Sequence, residues 1–199
     1  NKIKELTNLI LELQLSKPNK NYSLEPILES FYNDLFTGLE DLVVLCPKRN
    51  GFWGVNQVHK SFFGDDIENS WAYLPQGTPV MCGENQRDLG LANGDIGVII
   101  GHGDQRRIIF RIFSEHQKLI TKFIHPARLI SLQPALAMTI HKAQGSEYKN
   151  VILLWPNNPS QYANGTNQVK HDNNYQLRLL YTGITRAKEK VDLIIPKND

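Results

Sequence analysis

A chain of 199 residues, 41% hydrophobic and 21% charged, has the make-up of a soluble globular protein of one large domain or two small ones, with enough apolar material for a real core. A net charge of +2 is too small to argue for a polyanion partner, and two cysteines, Cys46 and Cys82, exclude a disulfide framework and fit buried thiols in a reducing cytoplasm. No apolar run approaches the ~18 residues of a membrane span, and the chain opens in a helical pattern with neither signal peptide nor initiator Met, which reads as an excised piece of a cytoplasmic protein.

In 1–15, Ile3, Leu6, Leu9, Ile10 and Leu13 recur at helical spacing. After the polar break at Lys17-Pro18-Asn19, Ser23 can cap a second helix whose apolar face is Ile27, Leu28, Phe31 and Leu35 and which Gly38 ends. Residues 41–46 form a short apolar run, the pattern of a parallel strand buried on both faces. A turn at Arg49-Asn50-Gly51 precedes helical spacing over 55–63. From Pro75-Gln76-Gly77 to Leu132 the pattern changes to short strands at 78–82, 97–100, 107–113 and 119–124, separated by turn sequences such as Asn93-Gly94-Asp95. Such a density of strands predicts a small barrel or curled sheet.

Residues 134–144 read as a helix stopped by Gly145, and 151–155 as a second buried strand. The stretch 156–174, poor in apolar residues, reads as a surface loop. Residues 176–188 read as a helix with Leu177, Leu180, Tyr181 and Ile184 on one face, and 191–195 as the last strand. The predicted organisation is an α/β layer over 1–75, a β insert over 76–132 and the resumed α/β layer over 133–199.

Two segments put polar residues where a buried strand–helix unit calls for apolar ones, a conflict that tends to mark function. In the first, Thr139, His141, Lys142 and Gln144 crowd one short stretch before Gly145-Ser146-Glu147. Thr and His there can reach a nucleic-acid phosphate or base, Gly145 lets backbone approach a ligand, and Glu147 can accept from a sugar hydroxyl. The same residues also fit a helix end with a surface His and Lys. In the second, Arg178, Thr182 and Arg186 recur every four residues opposite the leucines. A guanidinium fixed on a rigid element suits a phosphate, although a solvated helix face has the same pattern. No phosphate-binding loop of the form GxxxxGK[ST] occurs anywhere in the chain.

Taken in order, these segments resemble motifs V and VI of superfamily 1 helicases. The His141-Lys142-Ala143-Gln144-Gly145-Ser146-Glu147 form is similar to the RecD-like branch, the α subunit of exodeoxyribonuclease V and its stand-alone relatives. Asp41 to Pro47 through Gly54-Val55-Asn56, and Val80 to Gly97, also resemble parts of that branch's second motor domain.

The resemblance implies a RecA-like, P-loop-NTPase-type parallel-sheet domain, the second motor domain and so without the phosphate loop, carrying an inserted SH3-like β-barrel. It implies that Arg186 reaches the γ-phosphate of ATP as the catalytic arginine, and that Gly145 and Glu147 lie at the nucleotide. Thr139 and His141 would lie on single-stranded DNA, and Gln144, grouped with the nucleotide contacts, could serve either side. No metal site is expected in this chain; the ligands of Mg²⁺ would stand in an absent N-terminal motor domain. Thr182-Gly183 departs from the Ala or Val of many relatives. The implied activity is that of the C-terminal part of an ATP-dependent 5′-to-3′ DNA helicase of recombination and repair. Its partners would be single-stranded DNA and the N-terminal motor domain, with no membrane; the parent would either stand alone or join other subunits of a helicase–nuclease complex. The alternative is a nucleic-acid or protein-binding module with vestigial motor motifs.

Two smaller candidates remain. Arg87, Arg106, Arg107, Arg111, Lys118, Lys122 and Arg128 in the β insert either form a DNA-guiding face or act as ordinary edge charges. Phe52-Trp53 either stacks a base or anchors a turn on the core.

Overall fold

The structure, a computed structural model, describes residues 25–64, 74–101, 103–114, 116–156 and 173–196. The helix expected over 1–15, the cap at Ser23 and most of the loop expected over 156–174 lie outside the described residues. The chain divides into two compact units. One holds the described residues of Asn1–Gly38 and Ser70–Ala135, the other those of Leu39–Asn69 and Leu136–Asp199.

In the first unit, helix α1 (Glu25–Asp41) buries Phe31 and Tyr32 with Ile100 and Ile109, and Leu35, Phe36 and Phe123 pack around them. The expected stop at Gly38 does not occur. A glycine costs a helix interior only about 1 kcal/mol, and the burial of the two aromatic rings outweighs it. Through Gly38 the helix thus belongs with the β insert, whereas the α/β layer was expected to claim everything up to residue 75.

The insert is a five-stranded antiparallel sheet of β2 (Pro79–Cys82), β3 (Ile96–Ile100), β4 (Arg107–Phe113), β5 (Leu119–Ile124) and β6 (Leu132–Pro134), in the order β5-β4-β3-β2-β6. The three-residue β6 escaped sequence reading; it pairs with β2 through Val80–Pro134, Met81–Gln133 and Cys82–Leu132. β5 and β6 are the two edges, and among the described residues no ladder joins them, so the observed element is a separate antiparallel sheet. Val80, Val98, Ile99, Ile108, Ile109 and Phe110 fill its core. Several of the basic residues are engaged by their own unit. Arg111 pairs with Glu29 and donates to Asn33, Arg107 donates to the carbonyls of Asp104 and Arg106, and Lys122 to that of Leu89. Arg111 therefore straps α1 to β4.

The second unit is a parallel sheet of β1 (Leu42–Cys46), β7 (Ala137–Thr139), β8 (Tyr148–Leu154) and β9 (Ala187–Ile194), in the order β7-β1-β8-β9. Helix α2 (Val55–Phe63) packs Val55 and Val58 with Cys46, Ala137, Val44 and Leu154. Both cysteines are buried as expected, and burial pushes the Cys46 thiol up to about 12.

Two expectations fail here, for one reason. The helix expected over 134–144 is instead the end of β6, then β7 and a run of turns. Ala137 and Met138 pair with Val44 and Leu45, and the Ile140 N–H donates to the Cys46 carbonyl at 3.0 Å. The helix expected over 176–188 is α3 (Asn173–Ile184), and β9 begins at Ala187, so Arg186 stands in the turn between them. The face that α3 buries is also different. Leu179 is 7% exposed, whereas Leu177 and Tyr181 are 63% and 70% exposed. A Cβ on Gly183 would stand 3.2 Å from both Leu153 methyls and 3.3 Å from Ile140, so α3 lies close on the sheet at that point. In each case sequence-distant partners decided what local periodicity left open.

Candidate functional site

Because the four strands of the second unit are parallel, the segment from Thr139 to Glu147 leaves one edge of the sheet and arrives at the other. Thr139 ends β7 at the carboxyl edge; Tyr148 opens β8 at the amino edge. Between them Ile140 and Ala143 are fully buried, anchoring the crossing, while His141, Lys142, Gln144, Gly145, Ser146 and Glu147 are exposed.

At the amino edge the segment meets Arg186. The Tyr148 N–H donates to the Arg186 carbonyl at 2.8 Å, fixing the two strand starts side by side. The guanidinium then folds over the junction. Nε donates to the Thr182 carbonyl at 3.1 Å, Nη1 to the Ser146 carbonyl at 3.2 Å and Nη2 to the Thr185 hydroxyl at 3.2 Å. All three acceptors are uncharged, so a half-buried cation is oriented without being neutralised. Glu147 is exposed, with Lys188 Nζ at 4.0 Å. The fold therefore brings together Arg186 and Gly145-Ser146-Glu147.

Gly145 has φ +88 and nothing within 4 Å of where a Cβ would stand. With no helix over 134–144 there is nothing for Gly145 to stop, and its left-handed backbone instead closes a run of turns. We expect Gly145→Ala to cost about 1 kcal/mol through its left-handed backbone alone, read as a lowered urea midpoint. Gln144 is exposed, and its N–H donates to the His141 carbonyl at 3.2 Å.

At the carboxyl edge, Thr139 Oγ1 accepts from the Lys142 N–H at 3.2 Å and its carbonyl accepts from Ala143 at 3.1 Å, closing the turn that presents His141. The His141 ring faces Tyr175 from the start of α3, with centroids 6.4 Å apart, planes 23° apart and Nε2 3.5 Å from the phenol oxygen. Tyr175, 53% exposed, was missed by sequence reading; its signal was an aromatic residue where a polar stretch gives way to a helix. The structure thus separates Thr139 and His141 from Arg186 and Glu147, and joins the two groups through one buried-anchored segment.

His59 supports this segment from α2. It is 6% exposed, and its Nε2 accepts from the Ala137 N–H at 3.1 Å, at the first residue of β7. Burial, with the nearby charge of Arg49, pushes it down to about 4. Among the described residues no three His, Cys, Asp or Glu side chains cluster as a metal site, and no helix is long and apolar enough to cross a membrane.

Residues 134–194, from the end of β6 through β9, match the UvrD-like helicase C-terminal domain family. The RecBCD enzyme subunit RecD of Buchnera aphidicola subsp. Schizaphis graminum is 27% identical over 207 residues, covering 98% of this chain and 30% of that protein. The similarity to RecD thus runs over nearly the whole of this chain. The RecD subunit of Mycobacterium tuberculosis H37Rv is 29% identical over 160 residues, covering 78% of this chain and 25% of the relative. The crystal structure of the Pif1 helicase from Bacteroides in complex with ADP-AlF3 and ssDNA aligns with a TM-score of 0.45 at 17% identity, covering 84% of this chain and 48% of that one. The resemblance read from motifs V and VI is therefore met at the level of the helicase C-terminal domain and of RecD. The chain spans 30% or less of the length of these two RecD relatives.

Proposed function

We propose that this chain is the second motor domain of an ATP-dependent DNA helicase of recombination and repair, working 5′ to 3′ in the cytoplasm. In this reading it supplies one wall of an ATP cleft and part of a single-strand DNA track. The observation that carries the reading is the hydrogen bond from Arg186 to the Ser146 carbonyl, which gathers the motif VI arginine and the motif V turn into one cluster. A guanidinium held only by neutral acceptors keeps its charge for an anion. Phosphoryl transfer asks a protein mainly for positioning and charge stabilisation, and Arg186 would provide that at the γ-phosphate. Gly145, Glu147 and Gln144 would line the sugar and phosphates, and Thr139 and His141 would hold the DNA strand. The segment between them gives a mechanical route from one to the other, since nucleotide contact at Ser146 pulls on the turn that presents His141.

Mg²⁺, held by acidic residues of a preceding motor domain, would bridge the phosphates. The antiparallel insert would be the SH3-like barrel of the RecD-like branch, and the partners would include the other subunits of a helicase–nuclease complex. Half a cleft gives no turnover. The purified 199-residue chain should show no DNA-stimulated ATPase, while the parent protein with its preceding motor domain should hydrolyse ATP and unwind duplexes with a 5′ overhang. Robust hydrolysis by the chain alone would contradict the assignment.

A further inference from the structure

Helix α1 belongs to both compact units, and the boundary between them falls at its glycine. One unit takes the helix through Gly38, and the other takes it from Leu39. On the insert side the helix is clamped. Phe31 and Tyr32 are buried with Ile100 and Ile109, and Arg111 of β4 reaches both Glu29 and Asn33. Its last residue is held on the sheet side. Asn150 Nδ2 of β8 donates to the Asp41 carbonyl at 3.0 Å, and β1 follows at once, paired with β7 and β8.

Between the two clamps stand Thr37 and Gly38, both exposed. Neither of the usual reasons for a glycine applies here. A Cβ at Gly38 would meet nothing within 4 Å, so no close neighbour excludes a side chain. Its φ lies outside the left-handed region, so the backbone does not require glycine either. Glycine is nevertheless the least favourable residue of a helix interior short of proline, because it leaves the backbone the most freedom. That freedom is what Gly38 supplies, and hinges draw on small residues for the same reason.

The chain crosses between the units again at Ala135–Leu136, and there it is not helical. The Ala135 N–H donates to the Pro79 carbonyl of the insert at 2.8 Å, and Ala137 pairs with Val44 in the parallel sheet. Leu136 alone separates them, and such a link turns about its own two soft dihedrals. An unbroken helix has no such freedom, since each residue is tied to the next turn by a hydrogen bond. The helical crossing is therefore the one at which a glycine matters.

We propose that Gly38 is a flexible joint in α1, about which the insert turns independently of the parallel-sheet unit. A joint at this place lets the insert answer a partner without pulling on the Arg186 cluster, which belongs to the other unit. It does not depend on the helicase activity proposed above.

The test measures the distribution of distances between two spin labels on the full chain, one at Asp88→Cys in the insert and one at Lys149→Cys in β8, both exposed positions. The native thiols of Cys46 and Cys82 are buried and escape the reagent. The distribution should be broad with Gly38 in place. Gly38→Ala should narrow it and raise the urea midpoint, because alanine favours the helix and meets no neighbour. Thr37→Gly, which adds a second glycine at an exposed position, should broaden the distribution and lower the midpoint. A single narrow distance in the unsubstituted pair, or a distribution that neither change alters, overturns the joint. So does a lowered midpoint in Gly38→Ala, which would mean that the fold itself requires the glycine.

Discussion

Arg186→Ala in the full-length parent protein should lower DNA-stimulated ATP hydrolysis by about 10³-fold or more while leaving affinity for single-stranded DNA within about twofold. The split follows from the geometry. Arg186 lies at the amino edge of the sheet, and Thr139 and His141 at the carboxyl edge, so removal of the guanidinium takes charge from one cluster and touches nothing in the other. Its loss takes the donor from the Ser146 carbonyl, while the Thr182 carbonyl keeps the Thr185 hydroxyl; Arg186 is only half-buried and water can replace it, so the fold should survive. Arg186→Lys separates charge from shape. A lysine keeps the cation but cannot donate to Thr182, Ser146 and Thr185 at once, so it should recover only a small part of the rate. Initial rates at saturating DNA and ATP, beside a strand-binding titration of the same preparations, make the comparison. Unchanged hydrolysis in Arg186→Ala would remove the motor assignment and favour a binding module.

The chemistry was more legible in the sequence than the geometry. The polar residue types singled out Thr139, His141, Gln144, Gly145, Glu147 and Arg186, but each motif alone also fitted a solvated helix face or helix end, and the proposed roles came from the resemblance of the ordered pair to motifs V and VI. Their setting was misread. Ala137, Met138 and Ile140 fit a helical period as well as a strand over so short a window, and what decided was a donor–acceptor match with Cys46 and His59 far off in the sequence. Arg186 was expected on a helix face with Arg178 and Thr182, yet the helix ends at Ile184 and the arginine reaches back to the Thr182 carbonyl from a turn. Elements with strong local signals fared better: α2, β4 and β5 have the expected limits. Tyr175 offered only an aromatic residue at the end of a polar stretch, since its meaning comes from His141, a ring that lies beyond β8 in the chain and beside it only in the fold.

The two clusters are joined by backbone, and that makes the support of β7 matter. Ile140 and Ala143 are fully buried, so a shift of the Ser146 turn must either move them within the core or be passed along the segment to His141. Interiors packed to crystal-like density resist the first. The hydrogen bond from Ala137 to His59 holds the upstream end of the same segment, and it can be switched by pH without touching either cluster.

We expect the stability of the chain to fall by about 2.5 kcal/mol on this account between pH 7.5 and pH 4.5. The sign follows from which state binds the proton. His59 titrates near 6.5 when unfolded and is held down to about 4 in the fold, by burial first and by Arg49 second. Above 6.5 the ring is neutral in both states and the full contribution is present. As pH falls from 6.5 towards 4, the unfolded chain takes up a proton that the folded chain refuses, and stability drains away; below 4 both are charged and the loss is complete. The cause is burial, which strips the charged ring of its water, with the Arg49 charge adding to it against the opposing pull of the Ala137 backbone. His59→Gln retains an acceptor and removes the titration, so its urea midpoint should fall less than that of the wild type over the same range, with the difference confined to the window between 4 and 6.5. His59→Leu instead leaves the buried Ala137 N–H without a partner and should cost about 1–3 kcal/mol already at pH 7.5. Because β7 delivers Thr139, strand affinity should weaken with His59→Leu at neutral pH and hold with His59→Gln. Parallel acid profiles for wild type and His59→Gln would mean that His59 is not the group that makes this fold acid-sensitive.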